Sequence, residues 1–372
     1  MNDELRVIIS GGGTGGHIFP AVSIANAIRA KRPDAQILFV GAEGRMEMQR
    51  VPAAGYPIKG LPIAGFDRKN LLKNIPVLFK IMKSRNMARK IIREFKPQVA
   101  VGVGGYASGP TLNVAAAMGI PTLLQEQNSY AGVTNKILAK KARRICVAYD
   151  EMERFFPADK ILFTGNPVRQ NLLDETTTKA DAVRSFGLVP GKRTILIVGG
   201  SLGARTINES LLGNLPLVKQ QHNVQFIWQT GKYYSEEIHA ELERRGCPEN
   251  LKVMDFISNM NEAYAAADLV ISRAGAGSIS EFCLLGKPVI LVPSPNVAED
   301  HQTKNALALV QQNAAMYVTD NDARRSLLPL AINTATDHEK LEALSQHIKT
   351  LARPNAASDI ADEVIRLAME GK

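Results

Sequence analysis

The feature that most constrains this sequence is a run of glycines directly after an apolar, β-branched segment near the amino terminus. Residues 5–9 read Leu-Arg-Val-Ile-Ile, a pattern that predicts a buried strand. Ser-Gly-Gly-Gly-Thr-Gly-Gly-His follows at 10–17, and apolar residues then recur at helical spacing from Ile18 to Ile28. The sequence therefore predicts a strand, a tight glycine loop and the start of a helix, where backbone N–H groups can bind an anion.

These glycines also match the fingerprint of dinucleotide-binding folds, Gly-x-Gly-x-x-Gly, at residues 11–16. The fingerprint further requires an acidic residue at the end of the second strand. Here the predicted second strand, 36–40, runs into Gly41 and Ala42, and the nearest acid is Glu43. An NAD-dependent oxidoreductase is thus an alternative that rests on the glycines alone, and close packing of helix against strand would also explain them.

Apolar strand segments alternate with helical segments along the chain, which predicts parallel sheets covered on both faces. The predicted strands are 5–10, 36–41, 98–103, 121–125, 145–148, 161–164, 194–198, 224–227, 251–254, 269–271 and 288–292. Because 372 residues are many for one core, we expect an α/β protein with two doubly wound, Rossmann-like domains and a cleft between them. The predicted domains are 1–166 and 167–354, and an amphipathic helix within 355–372 is expected to pack back on the first domain.

Composition restricts the partners and the compartment. The net charge of +9 favours anionic partners, but aromatic residues make up only 6% of the chain, which argues against a base-stacking nucleic-acid surface. A nucleic-acid-binding protein is therefore an alternative supported by charge alone, and no nucleic-acid partner is expected. Three widely spaced cysteines, outside any Cys-x-x-Cys pair, fit a reducing cytosol without a zinc or disulfide framework. Neither a signal peptide nor a run of 18 apolar residues is evident.

Further polar or glycine-rich segments follow other predicted strands, at the edge where open α/β sheets bind ligands. They are 104–110, 125–128, 199–204, 272–281 and 293–305. In the fourth of them, Glu281 lies about one turn into a predicted helix, where its carboxylate could reach ribose hydroxyls. A capping box, with Ser278 as the cap and Glu281 answering it, is the alternative interpretation.

Six motifs occur together and in order: Gly-Gly-Thr-Gly-Gly-His at 12–17, Gly-Gly-Tyr-Ala-Ser-Gly-Pro at 104–110, Glu-Gln-Asn at 126–128, Gly-Asn-Pro-Val-Arg at 165–169, Gly-Gly-Ser-Leu-Gly-Ala at 199–204 and Asp-His-Gln-Thr-Lys-Asn-Ala at 300–306. In this arrangement the whole chain resembles the MurG family of bacterial N-acetylglucosaminyltransferases, glycosyltransferase family 28. The resemblance implies a GT-B fold and transfer of GlcNAc from UDP-GlcNAc to the 4-hydroxyl of MurNAc in undecaprenyl-pyrophosphoryl-MurNAc-pentapeptide (lipid I), which gives lipid II for peptidoglycan. A diacylglycerol-type UDP-sugar transferase is the alternative within the fold, and segments 104–110 and 126–128 favour lipid I. One departure is Gln125, where relatives often carry histidine.

The resemblance also implies the binding residues. The donor site is expected to comprise Thr14, Gly15, Gly16, Asn128, Arg169, Ser201, Ile257, Ala276, Gly277, Ser278, Ile279, Ser280, Glu281 and Gln302. In this family Ile257 would meet uracil through its backbone, Glu281 would bind ribose and Gln302 the GlcNAc hydroxyls. The acceptor is expected to meet Gly104, Gly105, Tyr106 and Ser108.

The implied reaction inverts the anomeric carbon in one displacement, which requires a base on the acceptor hydroxyl. His17 is the predicted base, because the dipole at a helix N-terminus disfavours the imidazolium. Alternatively His17 only hydrogen-bonds the loop or orients the acceptor, and Glu126 is the second candidate base. No cofactor and no essential metal are expected. Asp320-Asn321-Asp322 matches an Asp-x-Asp metal motif, but it is interpreted as a helix cap.

Segment 70–93 interleaves seven basic residues with apolar ones and contains no acid. This pattern is typical of a helix at a membrane surface, although a core helix with a solvated basic face would give it too. The polyprenyl-linked acceptor favours the first interpretation. We therefore expect a peripheral protein at the cytoplasmic face of the bacterial inner membrane, with other cell-wall synthesis proteins as candidate partners.

Overall fold

The computed structural model describes residues 4–63, 75–169, 172–173, 177–200 and 202–370. Its contacts divide the chain into two compact units, Met1–Arg169 with Arg353–Lys372, and Gln170–Ala352. The sequence predicted the domain boundaries between residues 166 and 167 and between residues 354 and 355. Each unit holds one sheet of parallel strands with helices on both faces, so the predicted α/β class with two doubly wound, Rossmann-like domains is confirmed.

The first unit contains a seven-stranded sheet in the order β3-β2-β1-β4-β5-β6-β7. Its strands are β1 (Arg6–Ser10), β2 (Gln36–Ala42), β3 (Ile58–Leu61), β4 (Val99–Gly102), β5 (Thr122–Glu126), β6 (Arg144–Val147) and β7 (Ile161–Phe163). Its helices are α1 (Gly15–Lys31), α2 (Glu47–Ala53), α3 (Ile75–Phe95), α4 (Ser108–Ala117), α5 (Val133–Leu138) and, from the carboxyl end of the chain, α15 (Ala356–Glu370).

The burial of β1 explains why its sequence is apolar without interruption. Successive side chains of a strand point to opposite faces of the sheet. Ile9 belongs to the core beneath α1 and α15, whereas Ile8 belongs to the core on the other face. Ile360 and Val364 of α15 lie fully buried in the first of these cores, so the apolar stripe of the terminal helix packs on the first unit.

The second unit contains a six-stranded sheet in the order β10-β9-β8-β11-β12-β13. Its strands are β8 (Arg193–Val198), β9 (Val224–Gln229), β10 (Leu251–Met254), β11 (Leu269–Ser272), β12 (Val289–Leu291) and β13 (Met316–Tyr317). Its helices are α6 (Lys179–Ser185), α7 (Arg205–Gly213), α8 (Leu215–Lys219), α9 (Ser235–Arg245), α10 (Met260–Ala266), α11 (Ala276–Leu285), α12 (His301–Val310), α13 (Asp320–Thr336) and α14 (His338–Thr350).

In both sheets the strand order reverses beside the first strand of the unit, between β1 and β4 and between β8 and β11. Loops that leave the carboxyl ends of two such strands run in opposite directions and open a crevice, where ligands of this fold class bind. The glycine-rich segments predicted from the sequence follow β1, β4 and β8, and small residues at 274–277 follow β11. The fold therefore brings the glycine loops to the ligand-binding edge of each sheet.

Candidate active site

In the first unit, the loops after β1 and β4 pack directly against each other. A Cβ on Gly105 would lie 2.3 Å from the carbonyl oxygen of Gly12, and one on Gly11 would lie 2.1 Å from a methyl carbon of Val103. The Ser108 hydroxyl donates to the carbonyl oxygens of Ser10 (2.6 Å) and Gly104 (2.9 Å), which ties the two loops together. Glycine is required here because the loops touch through their backbones.

This geometry changes the interpretation of one predicted acceptor residue. Ser108 is completely buried and its hydroxyl is used by the backbone, so it does not agree with the predicted acceptor contact. Tyr106 in the same loop is 50% exposed, and Gly104 and Gly105 line the loop with φ angles of +91° and +84°. These three remain candidates for the acceptor side.

His17 lies in the first turn of α1, half-buried, with its ring between the two loops. Its Nδ1 is 3.1 Å from the Gly12 carbonyl oxygen and 3.3 Å from the Thr14 hydroxyl. A carbonyl only accepts hydrogen bonds, so the contact with Gly12 is a hydrogen bond only in the tautomer that carries the proton on Nδ1, and in that tautomer Nε2 is the basic nitrogen of the neutral ring. A Cβ on Gly104 would lie 2.9 Å from Nε2, which places this nitrogen on the side of the predicted acceptor loop.

The glycine loop after β1 also contacts a buried carboxylate that sequence reasoning missed. Glu47, at the start of α2, accepts the N–H of Gly13 at 2.8 Å and that of Ala42 at 3.0 Å. In dinucleotide-binding proteins, donors of this loop face the pyrophosphate of the cofactor. Here a donor is taken by the protein's own anion, which argues against the oxidoreductase alternative. Acidic residues are common in the first turn of a helix, so the position of Glu47 in the sequence did not indicate a contact with the glycine loop.

Glu126, the second candidate base, ends β5 and is only 2% exposed. Its carboxylate accepts the N–H groups of Asn128 and Gly132 and the side-chain amide of Asn135, with distances of 2.9–3.1 Å. Burial raises the pKa of this carboxyl above its usual range, and the hydrogen bonds oppose that shift. The arrangement suits a carboxylate that holds the loop around Asn128, and it favours His17 over Glu126 as the base.

Gln125, the residue before Glu126 in β5, is fully buried. Its side-chain amide donates to Asn166 at 2.9 Å, and Asn166 in turn donates to the carbonyl of Gln127. Gln125 thus joins the end of β5 to the segment that precedes Arg169, a half-buried residue at the end of the first unit. Because Gln125 only joins two buried segments, this position does not need the ionisable ring of a histidine.

In the second unit, the loop after β8 is shaped by a side chain from the neighbouring strand. Gln229, at the carboxyl end of β9 and 4% exposed, donates from Nε2 to the carbonyl of Gly200 at 3.1 Å. Its Oε1 accepts the backbone N–H of Ile257 at 2.8 Å. Gln229 therefore connects the predicted phosphate loop to the residue predicted to meet uracil. Ser201 lies outside the described residues.

The predicted helix after β11 begins at Ala276, with Gly275 as its N-cap and no side-chain cap. The capping-box alternative for Ser278 and Glu281 is therefore wrong, because Ser278 is already the third residue of the helix. Glu281 instead accepts a hydrogen bond from the hydroxyl of Tyr264 at 2.8 Å. With no side chain folded over them, the first N–H groups of α11 form the positive end of a helix dipole.

The remaining residues of this segment divide between ligand edge and core. Gly277 is exposed, and a Cβ there would meet nothing within 4 Å, whereas Ile279 is buried in the core. The Ser280 hydroxyl donates to the carbonyl of Ala276 within the helix. Ala276 and Gly277 are thus the residues whose backbone lies nearest the ligand-binding edge of the sheet. The side chain of Ile279 is buried in the core, which does not agree with a side-chain contact to the donor.

Gln302, the residue predicted to bind GlcNAc, lies in the first turn of α12 and is half-buried. Its Oε1 accepts the backbone N–H of Ser294 at 2.9 Å, which leaves its amide nitrogen as a donor for a sugar hydroxyl. The turn before it contains two consecutive non-glycine residues in the left-handed region, Glu299 (φ +57°) and Asp300 (φ +52°). Strained backbone of this kind concentrates at functional sites.

In the Asp-x-Asp segment, the first carboxylate is engaged by protein side chains. Asp320 is the first residue of α13, and its two carboxylate oxygens accept hydrogen bonds from Arg273 and Thr206. The N-cap of α13 is Thr319, whose hydroxyl accepts the N–H of Asp322, so the prediction that the triplet itself caps the helix is corrected by one residue. No group of three or more His, Cys, Asp or Glu side chains could hold a metal ion within the described residues.

Helix α3 contains the described part of the predicted membrane segment; residues 70–74 lie outside it. Ala88 and Ile92 face the core, while the basic side chains are exposed. Those described basic residues are Lys80, Lys83, Arg85, Arg89, Lys90 and Arg93. Phe79 and Met82 are also exposed, which a purely solvated basic face does not explain. In the part of the chain that the structure describes, no helix has the length and apolar character that a membrane span needs.

Comparison with known proteins agrees with this architecture. Residues 7–147 match the glycosyltransferase family 28 N-terminal domain, and residues 194–364 match the glycosyltransferase family 28 C-terminal domain. The chain is 69% identical over 370 residues to a Bacteroides fragilis protein and 55% identical over 374 residues to one from Porphyromonas gingivalis. It spans 97% and 98% of these relatives, and all of its own length is covered. Both are named UDP-N-acetylglucosamine–N-acetylmuramyl-(pentapeptide) pyrophosphoryl-undecaprenol N-acetylglucosamine transferase.

Solved structures give the same result. The crystal structure of Acinetobacter baumannii MurG matches with a TM-score of 0.78 at 30% identity, over 97% of this chain and 99% of that one. UDP-GlcNAc 2-epimerase from Neisseria meningitidis, at 16% identity and a TM-score of 0.66, over 97% of this chain and 100% of that one, shares the fold alone. The family models cover well over half of the chain, and the relatives match it along its length. The chain belongs to glycosyltransferase family 28.

Proposed function

We propose that this chain is the enzyme that transfers N-acetylglucosamine from UDP-N-acetylglucosamine to lipid I, forming lipid II in peptidoglycan synthesis. Enzymes named for that transfer are 55% and 69% identical to it over 98% and 97% of their length. The observation in the structure that supports this best is the division of chemistry between the units. The glycine loop of the first unit holds its own anion, Glu47, and presents a histidine, whereas α11 in the second unit offers uncapped N–H groups.

The proposed reaction is a single inverting displacement. The oxygen of the MurNAc 4-hydroxyl forms a bond to the anomeric carbon of GlcNAc as the bond from that carbon to the UDP oxygen breaks. The proton of the hydroxyl passes to Nε2 of His17, and UDP leaves with the electron pair of the broken bond. The Nδ1 hydrogen bond to the Gly12 carbonyl supports this assignment, because it keeps Nε2 unprotonated in the neutral ring.

The proposed donor site lies at the carboxyl edge of the second sheet. The N–H groups at Ala276 and Gly277 bind the diphosphate and stabilise the charge that develops on it. Glu281, positioned by Tyr264, accepts from the ribose hydroxyls, and the amide nitrogen of Gln302 donates to GlcNAc. Because Gln229 already uses the N–H of Ile257, we assign the carbonyl oxygen of Ile257 to the uracil N3–H.

The acceptor carries a polyprenyl chain, and the exposed face of α3 suits the surface of the membrane that holds it. Its basic side chains attract anionic headgroups, and Phe79 and Met82 can enter the boundary between headgroups and acyl chains. We therefore propose that the enzyme is peripheral and that α3 is its membrane contact.

Transfer of labelled GlcNAc from UDP-GlcNAc to a lipid I analogue tests the proposed function. We expect a product carrying one added GlcNAc in β-1,4 linkage, and no transfer to diacylglycerol under the same conditions. Transfer to diacylglycerol without transfer to the lipid I analogue would contradict the proposal and favour the other type of lipid glycosyltransferase. An absence of any GlcNAc transfer, with reduction of a substrate at the expense of NADH, would contradict it in favour of an oxidoreductase.

A further inference from the structure

One peptide group separates the buried Glu47 carboxylate from the ring of His17. The N–H of Gly13 and the carbonyl of Gly12 belong to the same trans peptide bond, and they point in opposite directions. Oε2 of Glu47 accepts that N–H at 2.8 Å, and the carbonyl on the other side lies 3.1 Å from Nδ1 of His17. The three groups form a continuous hydrogen-bonded chain from carboxylate to peptide to imidazole.

The environment of Glu47 makes this contact specific. The side chain is 1% exposed, and a Cβ on Gly12 would lie 2.2 Å from its carboxylate oxygen. One on Gly41 would lie 2.6 Å from its Cγ, so two glycines leave the space that the side chain fills. The second oxygen is held by the N–H of Ala42, at the end of β2. The carboxylate is thus fixed to the sheet on one side and to the loop on the other.

A Gly-Gly peptide has little intrinsic preference for either of its two orientations, because neither residue carries a Cβ. Gly12 (φ +144°) and Gly13 (φ +88°) both adopt angles that other residues rarely take. If this peptide turned over, its N–H rather than its carbonyl would face Nδ1 of His17. Nδ1 would then accept a hydrogen bond, the proton of the neutral ring would move to Nε2, and Nε2 could no longer take a proton from the acceptor.

We propose that Glu47 is a positioning residue that locks the Gly12–Gly13 peptide and thereby selects the His17 tautomer with basic Nε2. A carboxylate only accepts hydrogen bonds, so it holds the peptide with the N–H inward. The inference rests on the proposed function, because tautomer choice matters for catalysis only if His17 is the base. The hydrogen-bonded chain also polarises each of its members, which strengthens the contact to the ring.

The test compares Glu47→Gln with wild type by ¹⁵N NMR of histidine-labelled protein, with the His17 signals assigned from His17→Ala. A glutamine can donate to a reversed Gly12 carbonyl, so the lock is lost. We expect the neutral His17 ring to be protonated at Nδ1 in wild type and to shift toward Nε2 protonation in Glu47→Gln. Wild-type protein with Nε2 protonated, or Glu47→Gln with the wild-type tautomer, would overturn the proposal.

Kinetics provide the second readout. We expect kcat for GlcNAc transfer to fall about 100-fold in Glu47→Gln, in the range that loss of a general base produces. The Kd for UDP should remain within twofold of wild type, because Glu47 lies in the first unit. Glu43→Gln, the same substitution at an exposed acid in the turn between β2 and α2, is the matched control and should leave kcat and tautomer unchanged. A kcat for Glu47→Gln within twofold of wild type would contradict the proposal.

Two further comparisons separate positioning from mere stability. Glu47→Asp keeps a carboxylate that only accepts hydrogen bonds, although its side chain is shorter. We expect this variant to keep His17 protonated at Nδ1 and to be more active than Glu47→Gln. If Glu47→Gln does not fold, the tautomers of wild type and Glu47→Asp decide the question, and Nε2 protonation in either of them refutes the lock. Full activity of His17→Ala would contradict the proposed role of His17 as the base, but it would not change the NMR result on the tautomer. The failure of the proposed reaction and the failure of the Glu47 lock are therefore distinguishable.

Discussion

The backbone N–H of Ile257 donates to Oε1 of Gln229 over 2.8 Å, and the same glutamine holds the Gly200 carbonyl through its nitrogen. One buried side chain thus sets the relative position of the loop proposed to meet phosphate and the residue proposed to meet uracil. Gln229 could not be exchanged for an apolar residue without leaving the Ile257 N–H and the Gly200 carbonyl without this partner, and an unsatisfied buried polar group costs about 1–3 kcal/mol.

Substitution of Gln229 by leucine should therefore weaken UDP binding by about 10-fold or more. The matched control is Gln225→Leu, at the other end of β9, where the amide is also buried but contacts Val189 and Thr194 away from the ligand edge. Both variants should lose stability, but only Gln229→Leu should raise the Kd measured by calorimetry. Equal Kd values for the two variants would show that the bridge does not position the donor site.

The two candidate bases can be separated by substitution. His17→Ala should lower kcat by 100-fold or more and leave the Kd for UDP unchanged, since general base catalysis contributes about 10²–10⁴. Glu126→Gln should reduce activity less, because its carboxylate holds Asn128, Gly132 and Asn135. Transfer assays on a lipid I analogue check this. Full activity of His17→Ala, with activity abolished in Glu126→Gln, would reverse the assignment.

A buried lysine outside the site predicts a pH dependence of stability. Burial lowers the pKa of Lys287 to about 8, with Lys179 adding to that shift and Asp268 opposing it, and its ammonium donates to the Ala267 carbonyl at 3.0 Å. The unfolded chain has the ordinary lysine value of about 10.4, so between these values the unfolded state binds more protons. The contribution of Lys287 to stability therefore increases as the pH rises from 8 to 10.4.

Urea unfolding of wild type and Lys287→Met at pH 7 and pH 10 measures this contribution. Relative to the variant, wild type should gain roughly 2–3 kcal/mol between the two pH values. Lys219→Met, at an exposed lysine in the same unit, should show no such difference from wild type. Parallel pH curves for wild type and Lys287→Met would contradict the predicted shift.

The membrane contact predicts a charge-dependent affinity. Replacing Lys80, Lys83 and Arg85 by glutamine should weaken binding to anionic vesicles by about 100-fold, because each basic residue near the surface contributes about 1 kcal/mol. The control replaces three exposed lysines of the second unit, Lys219, Lys252 and Lys349, and removes the same charge. Equal binding of wild type and the α3 variant would refute the assignment of α3 as the membrane contact. Equal weakening in the α3 variant and the control would show that binding depends on net charge and not on α3.

Sequence patterns predicted the architecture well where glycine loops follow apolar strands. The segments at 11–16, 104–110 and 199–204 all lie at carboxyl ends of strands, because a tight exit from a buried strand needs glycine. The weaker strand β3 (Ile58–Leu61) was missed, since Lys59 and Gly60 interrupt its apolar pattern. The sequence alone did not decide between a ligand-binding helix start and a capping box at Ser278, because Gly275 caps α11 without a side chain and no polar residue marks the start of the helix.

The partners of site residues could not be predicted, because they come from other elements. Glu47 reaches the loop of residues 11–16 from α2, Gln229 reaches Gly200 from a neighbouring strand, and Tyr264 reaches Glu281 from α10. Only the pairing of strands and the packing of helices brings these side chains together. The burial of Ser108 is likewise set by contact between two loops, which a motif in one loop does not show.

A crystal structure of the complex with UDP tests the central claim most directly, namely that the second unit binds the nucleotide while the first holds its own anion. We predict uridine at the carboxyl edge of the second sheet beside Gln229 and Ile257, with the diphosphate at the start of α11. Glu47 should still accept the Gly13 N–H. Uridine bound at the loop of residues 11–16, or a cation bridging the two phosphates, would contradict the account.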